Sequence, residues 1–129
     1  MLKLSDDELV EVAAACDVAL EKKPESMLRQ FLNRFKLDLV VMTRGAHGAI
    51  LVSATELIIQ PGIPTVVRDT VGAGDSFTAA LVVGLLRGDK LTDIARTACQ
   101  IAAEHERFGL MRQQLRAVEI EYGHISEDR

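Results

Sequence analysis

The residues best suited to chemistry form a glycine-rich segment, Gly72-Ala73-Gly74, which is followed at once by Asp75. Two glycines around an alanine allow a ligand to approach the backbone closely. We expect a helix to begin at Asp75, and the first amides of a helix are unpaired and carry about half a positive charge. The segment therefore predicts an anion site, with a phosphate as the expected occupant.

Asp75 itself cannot bind that phosphate, because like charges repel. Its carboxylate can instead accept a proton from an attacking hydroxyl group, as phosphoryl transfer requires. Aspartate is also a favoured helix N-cap, so a purely structural role is the alternative. Other phosphate motifs do not match. The Gly-Lys-Ser/Thr of a P-loop does not occur, and Phe77 stands where a dinucleotide fingerprint has its third glycine.

The elements that must position this segment follow from the apolar periodicity. Ser5-Asp6-Asp7-Glu8 is typical of a capping box and predicts a helix to about residue 17. Pro24 suits the first turn of a second helix, which should end near residues 35–36. The inward positions of this second helix are expected to be Met27, Leu28, Phe31, Leu32 and Phe35.

A strand-forming region follows these two helices. Residues 38–43 are a short, almost continuous apolar run, typical of a strand buried on both faces of a sheet. Glycines at 45 and 48 predict a tight turn. Further strands are then expected over 49–53, 56–60 and 65–67.

The rest of the chain is predicted to be helical. The helix from Asp75 to about residue 87 is apolar on almost every side, so we expect it to be buried. Helices are also predicted over 91–107 and 111–122. The whole chain, 1–129, is thus predicted to be a single α/β domain, with helices packed on a mixed, largely parallel β-sheet.

Composition narrows the classes of function. The chain is 48% hydrophobic and 26% charged, as in a globular domain. Its net charge is −4 and its sequence shows no basic stripe, so binding to nucleic acid is not expected. The longest apolar run, 79–86, is far shorter than the roughly 20 residues that span a bilayer. Cys16 and Cys99 have no metal-ligand spacing and are expected to be reduced thiols. Without a recognisable signal peptide, a cytoplasmic protein with no membrane partner is predicted.

The segment from Asp69 to Phe77, Asp-Thr-Val-Gly-Ala-Gly-Asp-Ser-Phe, resembles the C-terminal signature of the ribokinase, or pfkB-type carbohydrate kinase, family. The resemblance covers residues 2–109 and implies part of a ribokinase-like layered fold, in a fructokinase-like branch. It implies that Asp75 is the general base that deprotonates a sugar hydroxymethyl group. It also implies that the amides of Gly72, Ala73 and Gly74 form an anion hole for the γ-phosphate of ATP.

The same resemblance implies further ligands. The turn that begins at Thr43 would line the nucleotide, and the helix over 91–107 would flank the adenine; the residues implied are Thr43, Gly45, Gly48 and Thr97. Glu8 would organise water around Mg²⁺, although a capping box explains Glu8 without a metal. Asp69 and the backbone carbonyl of Val71 would hold a monovalent cation such as K⁺, and an Asx-turn is the structural alternative for Asp69. Arg44 is able to reach a phosphate, but a solvated surface arginine is the preferred interpretation.

Members of the family are considerably longer, and their N-terminal part supplies several strands and the residues that grip the sugar. A sheet that ends here should leave an edge strand open to pairing, so we expect a homo-oligomer or a partner that supplies an N-terminal half. One hypothesis is a kinase acting on a sugar and ATP. The alternative is a truncated, catalytically incomplete nucleotide-binding remnant. An unrelated α/β interaction module would require the match over 69–77 to be accidental.

Overall fold

The computed structural model describes residues 1–64 and 72–104. The predicted strand over 65–67, the residues Asp69 and Val71, the predicted helix over 111–122 and the last residues of the helix predicted over 91–107 lie outside the described residues. Within the described residues, no helix is long and apolar enough to cross a membrane.

The chain begins with a short strand that the sequence pattern did not predict. This strand, β1, covers Leu2–Ser5 and leads into a 3₁₀ turn, Asp6–Glu8, and then helix α1, Leu9–Ala15. The predicted capping box is confirmed, because the Glu8 carboxylate accepts hydrogen bonds from Ser5. The box thus begins a 3₁₀ turn that continues into a helix shorter than expected.

Helix α2 covers Pro24–Arg34, with proline in its first turn as predicted. Four of the five predicted inward residues are buried: Met27, Leu28, Phe31 and Leu32. The prediction is wrong for Phe35, which is 46% exposed. Phe35 is the C-cap rather than a helical residue, so its side chain leaves the inward stripe and stacks against the Phe31 ring at 6.5 Å between centroids.

Three more strands complete the described sheet: β2, Leu39–Thr43, β3, Ala49–Ser53, and β4, Leu57–Gln60. The strand order is β1-β2-β3-β4, so the predicted mixed sheet is confirmed. β1 and β2 are parallel because helices α1 and α2 provide the crossover between them. The β2–β3 and β3–β4 pairs are antiparallel, since their connections are too short for a crossover. Among the described strands, parallel pairing is thus limited to β1 and β2.

The sheet separates two hydrophobic cores. Residues of β2 and β3 alternate between the two faces, as expected for strands that are buried on both sides. One face packs under α1 and α2 through Val40, Met42, Ile50 and Val52. The opposite face carries Leu39, Val41, Ala49 and Leu51 and packs against the helices that follow β4 in the chain.

Those helices are α3, Ala73–Arg87, and α4, whose described part covers 91–104. A Cβ atom on Gly84 would lie 2.7 Å from Ile94 Cγ1, so α3 and α4 pack closely at this glycine. The expectation of a fully buried α3 is wrong. Phe77 and Leu81 face the core, whereas Leu86 is 84% exposed. Because α3 covers only one face of the sheet, its other side has no described element to pack against.

Candidate functional site

A cavity of about 460 Å³ opens at the carboxyl ends of β1 and β2. These two parallel strands end in register at Ser5 and Thr43, and both residues line the cavity. The remaining walls come from the turn after β2, from residues 62–63 and from helices α3 and α4. In open α/β sheets, ligands bind at the carboxyl ends of the strands, so the position is typical of a binding site.

The N-terminal end of α3 forms one wall of this cavity. Gly72 is the N-cap and has a φ of 85°, a left-handed conformation that glycine adopts readily. The N–H of Ser76 donates to the Gly72 carbonyl at 2.9 Å, and this is the first turn of the helix. The preceding N–H groups have no acceptor within the helix, and Ala73 and Gly74, which carry two of them, line the cavity. The helix N–H groups that an anion site requires therefore lie at the wall of a cavity that has room for a ligand.

Gly74 has no packing reason to be glycine. A Cβ atom built on it would meet nothing within 4 Å, and its φ is not in the left-handed region. Glycine in a helix costs roughly 0.5–1 kcal/mol relative to alanine. Gly74 thus lowers helix stability without relieving a steric clash. A glycine of this kind at a cavity wall is expected where a ligand must approach the backbone closely.

Asp75 is in the third position of α3, one residue beyond the cavity-lining Gly74. The helix begins at Ala73, two residues earlier than predicted, and its N-cap is Gly72. The alternative role of Asp75 as the N-cap is therefore wrong. The side chain is exposed to solvent and is not among the residues that line the cavity.

The end of β2 and the turn after it form another wall, and they contain three of the four predicted nucleotide-binding residues, Thr43, Gly45 and Gly48. The Arg44 N–H donates to the Gly48 carbonyl at 2.8 Å and closes this turn. A Cβ atom on Gly48 would lie 1.9 Å from the Gln60 carbonyl oxygen, and its φ is 94°. Gly48 is thus required by close contact between two backbone segments, in addition to any contact with a ligand.

Helix α4 contributes residues that sequence reasoning missed. Cys99, Ala102 and Ala103, at i, i+3 and i+4 spacing, line the cavity. The predicted Thr97 is on an adjacent side of α4 and lines a second cavity of about 380 Å³ instead. The helical periodicity of small side chains at 99, 102 and 103 was the available signal. Burial raises the pKa of the Cys99 thiol, so this residue stays protonated near neutral pH.

Acidic residues lie at the rim formed by β1. Asp6 and Asp7 line the cavity, whereas Glu8 is not among the lining residues. Glu8 Oε1 accepts hydrogen bonds from the Ser5 N–H at 3.0 Å and from the Ser5 hydroxyl at 2.9 Å. These two bonds lower the pKa of Glu8, the backbone bond contributing most, so the carboxylate is ionised. Within the described residues, no group of three or more His, Cys, Asp or Glu side chains is placed to hold a metal.

The remaining predicted residues have different outcomes. Asp69 and Val71, predicted to hold a monovalent cation, lie outside the described residues. Cys16 and Cys99 are both free thiols, as predicted. Arg44 is not the solvated surface residue that was preferred from the sequence, because its side chain is part-buried and lines the cavity.

Comparison with known proteins identifies the family of this chain. Residues 1–105 match the family model described as pfkB family carbohydrate kinase. The chain belongs to the pfkB family. It is 32% identical to a fructokinase of Klebsiella pneumoniae over 84 residues, which are 65% of this chain and 25% of that enzyme. The predicted family is therefore confirmed, and it is a family of carbohydrate kinases, which implies the use of ATP.

Solved structures show the same fold. The chain superposes on the ribokinase of Thermotoga maritima with a TM-score of 0.71 at 24% identity, covering 79% of this chain and 34% of the ribokinase. It also superposes on a presumed ribokinase II of Escherichia coli in complex with ATP and Mg²⁺, with a TM-score of 0.66 at 25% identity. That match covers 78% of this chain and 30% of the other. The ribokinase-like fold is confirmed, and this pfkB chain spans about a third or less of the length of these relatives.

Proposed function

We propose that this chain carries the phosphate-handling part of a carbohydrate kinase that transfers the γ-phosphoryl group of ATP to a sugar hydroxymethyl group. The observation that supports the proposal is a single cavity that the unpaired amides of α3 share with the turn after β2. Both features lie at the carboxyl ends of parallel strands, where a nucleotide phosphate would find N–H donors and room.

Within this proposal, Asp75 is the general base. Its exposed carboxylate, next to the cavity-lining Gly74, takes the proton of the sugar hydroxyl as that oxygen attacks phosphorus. The amides of Gly72, Ala73 and Gly74 stabilise the charge on the transferred group. Because these donors belong to the backbone of a helix, they are oriented before the ligand arrives.

The turn residues Thr43, Gly45 and Gly48 contact the nucleotide in this proposal, and their position in the cavity wall supports that role. Thr97 lies in the second cavity, so the described residues give no support to its predicted contact with adenine. Use of ATP as the phosphoryl donor is what supports the predicted cytoplasmic location.

The donor set at the rim fits Mg²⁺. Magnesium in kinases is usually held by one or two carboxylates together with substrate phosphates, rather than by a cage of protein ligands. Glu8, the residue that the resemblance implies, would organise water around the ion, and Asp6 and Asp7 are the carboxylates that line the cavity beside it. When bound, the ion neutralises charge on the phosphates. A K⁺ ion held by Asp69 and the Val71 carbonyl remains a proposal from the resemblance.

The test compares binding and turnover in wild type and Asp75→Asn. Calorimetric titration with Mg-ATP and Mg-ADP measures binding, and a kinase assay with fructose as the first acceptor, suggested by the fructokinase relative, measures turnover. Asp75→Asn should keep nucleotide binding and lose roughly 10²- to 10⁴-fold in rate.

Asp93→Asn is the matched control. It removes a carboxylate from α4 whose exposed ion pair with Arg96 contributes little to stability. The control should have the wild-type rate. A full rate in Asp75→Asn would contradict the assignment of the base.

The second candidate is a nucleotide-binding unit that is catalytically incomplete until another polypeptide segment completes it. The exposed apolar side of α3, where Val83 is 50% and Leu86 is 84% exposed, favours this reading. The short span of the fructokinase relative that the chain matches also favours it. The covering segment would be a second copy or the rest of the family fold. Nucleotide binding without turnover would select this candidate.

Light scattering at increasing concentration tests for such a covering segment. The chain alone should self-associate, and Leu86→Ser should weaken the association without altering the fold, because that side chain makes few internal contacts. A clean monomer at high concentration would count against a second copy as the partner.

A further inference from the structure

Arg44 has an environment that its sequence context did not predict. It directly follows β2, and its side chain is part-buried in the wall of the 460 Å³ cavity. Its Nη2 donates to the Gln60 carbonyl oxygen at 3.3 Å, which ties the turn after β2 to the end of β4. One end of the guanidinium group is therefore anchored, in a residue that lines the cavity.

The Nε–H of Arg44 is a hydrogen-bond donor without an acceptor among the described residues, and the Nε atom is buried. Arginine does not lose its charge in proteins, so the site cannot relieve the cost by deprotonation. The two ion pairs in residues 1–64 and 72–104 are Arg34–Asp17 and Arg96–Asp93, and Arg44 takes part in neither.

The positive charge of Arg44 acts inside the cavity. It opposes the rise that burial causes in the pKa of Cys99, another residue of the cavity wall. The same cavity receives the unpaired amides at the start of α3. A side chain with permanent positive charge and a group of backbone donors thus line one cavity, and an anion would interact with both.

We propose that the guanidinium group of Arg44 binds a phosphate oxygen of a nucleoside di- or triphosphate and thereby sets the preference of this cavity for charged nucleotides over nucleosides. The inference rests on the proposed function and adds a specificity-determining residue to it. Asp6 and Asp7 at the rim would repel a bare polyphosphate, so the ligand binds as its Mg²⁺ complex.

The experiment is calorimetric titration of wild type, Arg44→Met and Arg44→Lys with Mg-ATP, Mg-ADP and adenosine. Loss of one charge-assisted hydrogen bond should weaken Mg-ATP and Mg-ADP binding by roughly 10- to 100-fold in Arg44→Met. Adenosine affinity should stay unchanged. Arg44→Lys should recover part of the loss, because lysine keeps the charge but not the Nε–H donor.

Arg29→Met is the matched control, since Arg29 is an exposed residue of α2 and does not line the cavity. It should bind like wild type. A merely structural role of Arg44, as an anchor for Gln60, would weaken adenosine and Mg-ADP by the same factor and would overturn the inference. Unchanged Mg-ADP affinity in both Arg44 variants would overturn it too, while leaving the proposed function intact.

A further readout does not depend on how the variants fold. Magnesium tripolyphosphate, which has no base or sugar, should raise the Tm of the wild-type chain and compete with Mg-ADP. Absence of any Mg-nucleotide binding to wild type would refute the proposed function and this inference together. Asp75→Asn should lose turnover and still bind Mg-ATP more tightly than adenosine. That result would support the role of Arg44 in binding separately from the role of Asp75 in catalysis.

Discussion

Among residues 1–64 and 72–104, the two faces of the sheet are covered to very different degrees. Under α2, the side chains of Leu28 and Phe31 are fully buried, and the helix turns its polar residues to solvent. On the other face, α3 buries Phe77 and Leu81 but leaves Leu86 largely exposed. On the α1/α2 side the described apolar side chains form a closely packed core. The α3/α4 side contains both the cavity and an exposed apolar surface. Binding and association are therefore expected on the side where packing is incomplete.

The largest expected effect is the loss of folding stability when a side chain is removed from the core under α1 and α2. Phe31→Ala removes a fully buried ring from the core under α2 and should lower the free energy of unfolding by about 3–5 kcal/mol. Phe35→Ala, four residues along, removes a half-exposed ring and should cost much less. Urea unfolding monitored by circular dichroism measures both. Equal losses would show that the α1/α2 core is not as closely packed as the burial indicates.

In the turn after β2, stability should depend on backbone conformation and backbone contacts rather than on side-chain packing. Gly48→Ala combines a left-handed φ with a clash against the Gln60 carbonyl and should cost roughly 2–4 kcal/mol. Gly45→Ala, on the same turn, has a φ of 55° but nothing within 4 Å, so about 1–2 kcal/mol is expected. Unfolding midpoints of the pair would test the comparison, and a smaller loss in Gly48→Ala than in Gly45→Ala would contradict it.

A third substitution separates stability from binding within α3. Gly74→Ala should raise the free energy of unfolding by up to about 1 kcal/mol, because alanine favours the helix and its Cβ meets no atom within 4 Å. The same methyl group should weaken Mg-ADP binding, since it occupies the approach to the α3 amides. Thermal unfolding and calorimetry measure the two effects. Gain of stability with full binding would show that ligands do not approach Gly74.

The smallest effect concerns Glu8, which follows the cavity-lining Asp6 and Asp7 in the chain. Its folded-state pKa is lowered by hydrogen bonds from Ser5, so the resulting stability is present above the unfolded-state pKa and is lost as pH falls through the folded one. Ser5→Ala removes the hydroxyl donor, and the Glu8 pKa should rise towards its ordinary value. Titration of the Glu8 side-chain carboxyl by NMR in both proteins measures this shift. An unchanged pKa would mean that the Ser5 hydroxyl bond does not form in solution.

Much of the fold could be predicted because its signals are local. α2, β2 and β3 follow the apolar periodicity closely, and the resemblance over 69–77 indicated the family. β1 was missed because its four residues become a strand only by pairing with β2, which is distant in sequence. The exposure of α3 was missed because periodicity shows how apolar a helix is but not how many partners the chain provides for it.

The site was predicted to a comparable degree. The glycine segment and the turn after β2 were identified by motif, and the structure brings them to one cavity. The role of Arg44 could not be deduced, because its burial depends on contact with Gln60, sixteen residues away. Thr97, predicted from the resemblance, lines the second cavity rather than the first, because a resemblance indicates the helix but not which of its sides lines a given cavity.

The contact between the turn after β2 and residues 60–62 has a consequence for how the cavity adapts to different ligands. A Cβ atom on Gly62 would lie 1.7 Å from the Ala46 carbonyl oxygen, and one on Gly48 would lie equally close to the opposite strand end. Two backbones in direct contact cannot approach further, so this wall has one fixed position. We therefore expect any adjustment to a larger or smaller ligand to come from movement of the helices opposite. Substitutions that change ligand preference by reshaping the cavity should therefore be found on α3 and α4.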